Sequence, residues 1–377
     1  MTKRYDIVCA VNYYTPYVSG LTEVVRIVAE QAVKRGLSVL VVAGRHDEKL
    51  PAREVIAGVD VIRTPVVARI GKGLISPSFV PTVVRYGRKA GVVNLHTPMI
   101  ESGAIALGLG RTPLVTTYQC DISLPPGTFN AIQMKVMDVS NAIALRRSAV
   151  VVPSSSDYAQ HSRLARWMPD AKSLPIAPPT AKHPSAEPLF RETDGMHVGF
   201  LGRLVEEKGL EYLVDGFRAL PDPDARLLIG GDYSKVAGGS TIDKVLKHIG
   251  DDSRIRLLGF LPDDQLAGFY ASLDVFALPS VNSFEAFGIV QVEGMKVGVA
   301  ALASDLPGVR TPVQNTGFGK IVPPRDAEAI TRTLVEFEAQ PLDRVAGAAA
   351  ANEVYSFDKT IDEYLAAFER AQAAAQA

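Results

Sequence analysis

The chain has 377 residues, room for two ordinary domains. Hydrophobic residues at 47% against 21% charged exclude a disordered chain. Two cysteines, Cys9 and Cys120, with no metal-ligand spacing around them, exclude a disulfide framework and a zinc site. The formal net charge of −1 hides an asymmetry: 21 basic against 12 acidic residues up to Thr180 give +9, and 19 against 29 beyond it give −10. Halves of opposite sign imply two domains with different partners, nucleic acid not among them.

The opening MTKRYDIVCA has a short apolar run behind its basic residues, too short for a signal peptide. It reads as a first strand, Tyr5–Val11. A helix follows over Leu21–Arg35, stopped by Gly36, and then a β-branched strand, Ser38–Ala43. This is a βαβ unit, the building block of a parallel sheet. Further strands are predicted at Val59–Arg63, Val92–His96, Leu114–Thr117 and Val150–Pro153. Five prolines between Pro175 and Pro188 then break the rhythm, as a linker would. The alternation restarts with strands at His197–Leu201, Arg226–Ile229, Arg254–Leu258, Asp274–Leu278 and Ala300–Ala303. Helices fit Leu210–Ala219, Gln265–Ala271, Ala286–Val297 and the tail from about Tyr355. No run approaches the roughly 18 apolar residues of a spanning helix, and a cytoplasmic location, peripheral on a membrane's inner face at most, is expected.

Two segments at predicted strand ends carry the chemistry. Pro279-Ser-Val-Asn-Ser-Phe-Glu285-Ala-Phe-Gly-Ile-Val-Gln-Val-Glu293 opens a helix, whose first-turn N–H groups and dipole suit a diphosphate. Gly288 allows close approach of a ligand to the backbone. Glu285 and Glu293, on one helix, would stand about 12 Å apart at 1.5 Å per residue and flank the diphosphate. Gly202-Arg203-Leu-Val-Glu-Glu-Lys208-Gly209 adds two cations, Arg for bidentate phosphate contacts and Lys as a point charge. Glu206 and Glu207 give this loop a plainer reading, a solvated turn with neutralised cations. The first loop, Asn12 to Leu21, lacks both G-x-G-x-x-G and the P-loop Lys-Ser/Thr, which disfavours a dinucleotide-dependent oxidoreductase.

Taken in order, these segments resemble glycosyltransferase family 4, the retaining transferases of the GT-B fold, over nearly the whole chain and most densely from Gly199 to Pro324. The E-A-F-G-I-V-Q-V-E stretch is similar to that family's E-x7-E motif, and G-R-L-V-E-E-K-G to its phosphate-gripping loop. Ile229-Gly230-Gly-Asp232 and Leu258-Gly-Phe260-Leu261-Pro262 are similar to strand ends that border the nucleoside. The resemblance implies an α/β fold of two Rossmann-like, doubly wound domains facing a central cleft. Residues 1–178 would bind the acceptor, 179–195 form the linker and 196–354 bind the nucleotide-sugar, with the helix 355–377 packing back on the first domain. It implies Glu285, Arg203 and Lys208 as catalytic, Glu285 on the donor sugar and Glu293 on the ribose. Arg203 and Lys208 would hold the diphosphate, with the backbone of Ala286, Phe287, Gly288, Ile289 and Gly20, and Gly202, Gly230, Phe260 and Leu261 would complete the donor site. The donor would be a UDP-hexose, transferred with retention, without cofactor or essential metal.

The chain also departs from the pattern. Ser19-Gly20 stands for a Gly-Gly pair, Ser304 to Arg310 replaces a Gly-Gly-x-x-Glu stretch, and Gln119 stands where a His is common, so any acid–base role there is lost. His96, Gln119 and Asp121 are the acceptor or sugar candidates. Asp222-Pro-Asp224 mimics a D-x-D metal motif and reads as a turn. A same-fold epimerase or phosphorylase and an inactive nucleotide-sugar binding module are the competing readings, the phosphorylase lacking an obvious pyridoxal lysine. Val61 to Ile100 holds no acidic residue, while Arg63, Arg69, Lys72, Arg85, Arg88 and Lys89 are basic around the apolar Gly73–Val84. That stretch is expected to dock an anionic membrane or a phosphorylated acceptor, its plain alternative being a solvated basic face beside buried residues.

Overall fold

The computed structural model describes residues 4–70, 73–124, 127–181, 183–233 and 241–376. In chain order the strands and helices begin with β1 (Ile7–Ala10), α1 (Gly20–Lys34), β2 (Val39–Gly44), β3 (Arg53–Ile56), β4 (Val59–Thr64), β5 (Ala68–Ile70) and β6 (Gly73–Ile75). Then come α2 (Phe79–Gly87), β7 (Val92–Thr97), α3 (Ser102–Gly108), β8 (Leu114–Tyr118), α4 (Thr128–Arg147), β9 (Val150–Pro153) and α5 (Ser156–His161). The remainder is β10 (His197–Leu201), α6 (Leu210–Arg218), β11 (Arg226–Gly230), α7 (Ile242–Ile249), β12 (Ile255–Gly259), α8 (Asp263–Ala271), β13 (Val275–Leu278) and α9 (Ile289–Lys296). It ends with β14 (Ala300–Ser304), α10 (Thr311–Thr316), β15 (Gly319–Val322), α11 (Ala327–Ala339), α12 (Arg344–Val354) and α13 (Phe357–Gln376).

The chain divides into two compact units, one running to Pro179 and resuming at Asp358, the other Thr180–Phe357. In the first, the sheet order is β3-β4-β2-β1-β7-β8-β9, parallel except for the antiparallel edge strand β3. The fully buried, Val-rich β1, β2 and β7 explain the parallel form, since helices cover both faces and leave no solvent side. α13 belongs to this unit: Arg35 bonds Asp362 at 3.1 Å and Arg370 bonds the Ala171 carbonyl at 2.8 Å. In the second unit the order β12-β11-β10-β13-β14-β15 is parallel throughout. Its core gathers Val198, Phe200, Leu227, Phe276, Leu278 and Leu302 between the helix layers.

Each sheet has a topological switch point, between β1 and β7 in the first unit and between β10 and β13 in the second. Open α/β sheets bind ligands outside the carboxyl ends of strands at such a point. The second switch point is where the Gly202 and Pro279 segments emerge.

Two expectations change. The proline-rich stretch, of which Lys182 lies outside the described residues, is more than a spacer. Leu189 N–H donates to the Gly268 carbonyl at 3.1 Å and Phe190 N–H to Ser272 Oγ at 2.8 Å, strapping it to the end of α8. In the Gly73–Val84 stretch, expected as a docking loop or short helix, Leu74, Phe79 and Val83 are core residues of β6 and α2. Arg63 is likewise buried, held by Glu54 and by the carbonyls of Thr15 and Pro51, so it cannot meet a membrane. Lys72 lies outside the described residues, and Arg69, Arg85, Arg88 and Lys89 are exposed.

Candidate functional site

At the second switch point, the loop after β10 and the loop after β13 are joined by backbone and side chain. Val281 N–H donates to the Glu207 carbonyl at 3.0 Å. Gly209 has φ +61, and a Cβ there would lie 2.4 Å from the Pro279 carbonyl oxygen, so only glycine lets the loops close. This junction brings Lys208 Nζ onto Glu285 Oε2 as an ion pair, with both side chains 15% exposed. Arg203, 36% exposed, sits 3.7 Å from Glu207. The two cations therefore stand at one strand end, each beside a carboxylate, with Arg203 the more open.

The helix starts later than the spacing predicts. Gly288, at φ +83, is the N-cap of α9, and a Cβ there would approach Leu278 Cδ2 to 2.2 Å. Glu285 consequently lies in the bend before the helix, anchored by Glu285 N–H to the Asn282 carbonyl at 3.3 Å, and only Glu293 is helical. The separation of about 12 Å along one helix does not hold for this pair. No side chain caps α9; Gln291 N–H turns back to the Gly288 carbonyl at 3.1 Å, and helix starts of this kind suit anions. Ala286 and Phe287 are buried behind it, and Gln291 Nε2 donates to the Phe287 carbonyl at 2.7 Å and the Val309 carbonyl at 2.9 Å, fixing the bend.

Glu293 has partners within its unit. Tyr270 donates to Oε2 at 3.1 Å, His183 Nε2 lies 3.5 Å from the same oxygen, and Ala181 N–H reaches Oε1 at 3.4 Å. His183 and Tyr270 were not visible as site residues in the sequence, because one sits among prolines and the other inside an apolar helix. On the other side, Gly202 N–H donates to the Gly230 carbonyl at 3.1 Å, so the ends of β10 and β11 are held together. Phe260, beyond β12, is 71% exposed, whereas its neighbour Leu261 is buried against Gly230. Phe260 thus offers an open aromatic face and Leu261 only support. The Asp222-Pro-Asp224 carboxylate closes a turn, with Asp224 N–H donating to Asp222 Oδ1 at 2.8 Å.

The remaining candidates lie in the first unit. Gly20 is the first residue of α1, after the N-cap Ser19, whose Oγ accepts from Thr22 N–H at 3.3 Å. Asp121 is part of the scaffold. Its carboxylate takes hydrogen bonds from Tyr118, from Ser162 Oγ at 2.9 Å and from Arg163 N–H at 3.3 Å. Gln119 Nε2 lies 3.4 Å from His96 Nδ1 at the ends of β8 and β7. Near them, Glu101 takes Asn12 Nδ2 at 3.5 Å, and burial pushes its carboxyl pKa up; no motif marks it.

His96 is 1% exposed, and burial pushes its pKa down to about 3, so the imidazole is neutral. An unfolded histidine titrates near 6.5. The unfolded chain therefore binds more protons between these values, and stability is lost as pH falls through that window. One such group contributes up to about 1.4 kcal/mol per pH unit, and His46 and His197, also lowered by burial, add to it. The midpoint of thermal unfolding should drop from pH 6.5 toward 4, less steeply in His96→Gln; identical slopes would contradict this.

Comparison with known proteins agrees with the fold. The family model "Glycosyl transferases group 1" matches residues 185–353, and "Glycosyl transferase 4-like domain" matches residues 19–178. Phosphatidyl-myo-inositol mannosyltransferase of Mycobacterium tuberculosis is 30% identical over 344 residues, covering 86% of this chain and 84% of its own. Sucrose-phosphate synthase from Thermosynechococcus elongatus superposes with a TM-score of 0.77 at 20% identity, over 98% of this chain and 99% of its own. Anabaena HepE in complex with UDP-glucose superposes with a TM-score of 0.70 at 18% identity, over 96% and 99%. With both halves matched in order and a full-length relative at this identity, the chain belongs to the group 1 glycosyltransferases of the family 4 type and has their GT-B fold.

Proposed function

We propose that the chain is a retaining, metal-independent hexosyltransferase that moves a hexose from a UDP-sugar to a lipid-linked or small-molecule acceptor. One observation carries this reading: the Lys208–Glu285 pair at the second switch point, beside Arg203 and the uncapped start of α9. There the diphosphate lies over the first turn of α9. Arg203 and Lys208 stabilise the charge that grows on the leaving group as the C1–O bond breaks. Glu285 accepts hydrogen bonds from hexose hydroxyls, and Glu293, steadied by Tyr270, from the ribose. Phe260 and the ends of β11 and β12 border the base. The acceptor oxygen bonds to C1 on the face that the phosphate leaves, and the departing phosphate oxygen takes the acceptor proton, which keeps the anomeric configuration.

The uridine nucleotide is supported by the UDP-glucose complex of HepE, and a lipid-linked acceptor by the phosphatidyl-myo-inositol named for the mycobacterial relative. The transferase names of the relatives favour this reading over a same-fold epimerase or an inactive binding module. Consumption of UDP-hexose should rise on adding lipid extract and should survive excess chelator. Full loss of activity in chelator, restored by a divalent ion, would contradict the metal-free reaction.

A further inference from the structure

Helix α4 outruns its neighbour. Ser140 Oγ accepts from Gly103 N–H at 2.9 Å, Asn141 Oδ1 from Ser102 Oγ at 2.9 Å, and Arg147 donates to the Thr112 carbonyl at 3.1 Å. From Ser140 onward α3 and α4 therefore lie side by side in the same direction. Residues 128–139 extend beyond the start of α3 by about 18 Å at 1.5 Å per residue. On this overhang Phe129, Ile132, Val136 and Val139 are 66%, 62%, 47% and 55% exposed. Steps of three, four and three residues place them in one row on one face. Ile100, 51% exposed, adjoins the row, its carbonyl accepting from Ser140 Oγ at 2.6 Å. Single exposed apolar residues need no explanation, but a contiguous row marks an interaction surface.

The position of the row points to its use. α4 follows β8, so its start stands beyond the carboxyl end of the first sheet, the end where such sheets take ligands. Charge selects the occupant. Lys135 is exposed between Ile132 and Val136, while Asp138 is neutralised by Arg163 at 3.1 Å. The chain up to Thr180 carries 21 basic against 12 acidic residues. A second copy would bring like charges together, whereas an anionic bilayer complements both the cations and the apolar row.

We propose that this face of α4 docks the chain on an anionic lipid surface and turns the carboxyl edge of the first sheet toward an acceptor carried there. The acceptor clause rests on the lipid-linked reading above, and the docking does not. The test is co-sedimentation of the full chain with vesicles of phosphatidylcholine alone, or mixed equally with phosphatidylglycerol, alongside calorimetry with UDP. Wild type should pellet with the mixed vesicles. The Ile132→Gln/Val136→Gln double variant should partition about tenfold less or weaker, and Lys135→Gln about fivefold less on mixed vesicles only. Both should keep wild-type UDP affinity. Wild type remaining in the supernatant with both vesicles, or the double variant pelleting like wild type, overturns the proposal. So does a dimer in sedimentation velocity that the double variant abolishes, which would assign the face to a second copy. Vesicle binding without any UDP binding by wild type would end the transferase reading and leave the docking face standing.

Discussion

Glu285→Gln should lower turnover of a UDP-hexose by about a hundredfold, the scale seen when one preorganised group is removed from an electrostatic site. Its effect on the dissociation constant of bare UDP should be small, within about threefold, because the carboxylate meets the hexose and not the nucleotide. The ion pair sharpens the expectation. Glu285 also holds Lys208, and Gln keeps the size and an oxygen acceptor while removing the charge. Single-turnover kinetics beside UDP calorimetry would separate the effects. Equal losses in turnover and UDP affinity would show that Glu285 acts by placing Lys208, not by touching the sugar.

Lys208→Ala and Arg203→Ala should each weaken UDP binding by about 2–3 kcal/mol, the usual scale for a charged hydrogen bond. The larger loss is expected for Lys208, which is less exposed than Arg203 and whose removal also leaves Glu285 unpaired. Raising the salt should cut affinity more in wild type than in either variant, since fewer charges remain to be screened. Unchanged UDP affinity in both variants would remove the second switch point from the account.

Much of this architecture was legible because buried parallel strands announce themselves. Val150–Pro153 and His197–Leu201 are found at the predicted bounds, and most other strands shift by one or two residues. The edge strand β3 was missed, since Arg53–Ile56 is short, charged and half exposed, and carries no apolar run. The helix start at Ile289 was misplaced because Ala286 and Phe287 are apolar and continue the helical spacing, while nothing in the sequence shows that Gly288 is left-handed and caps the helix. The apolar Gly73–Val84 stretch misled for the opposite reason: composition shows that residues are apolar but not which of them face the core. The row on α4 escaped notice because Met134, Met137 and Ile143 spread apolar residues around the helix, and only α3's short length shows which face is left open. Partners distant in sequence, such as His183 with Glu293, carry no local signal at all.

The central claim is transfer from a nucleotide sugar with retention, and it can be tested without knowing the acceptor. UDP-glucose is an α-glycoside, and water can replace the acceptor slowly. Proton NMR of the first glucose released, read before mutarotation equilibrates the anomers, should show the α form, with UDP as the other product and no dependence on a divalent ion. First-formed β-glucose, or no release of UDP from UDP-glucose or any other UDP-hexose even with lipid extract present, would contradict the account.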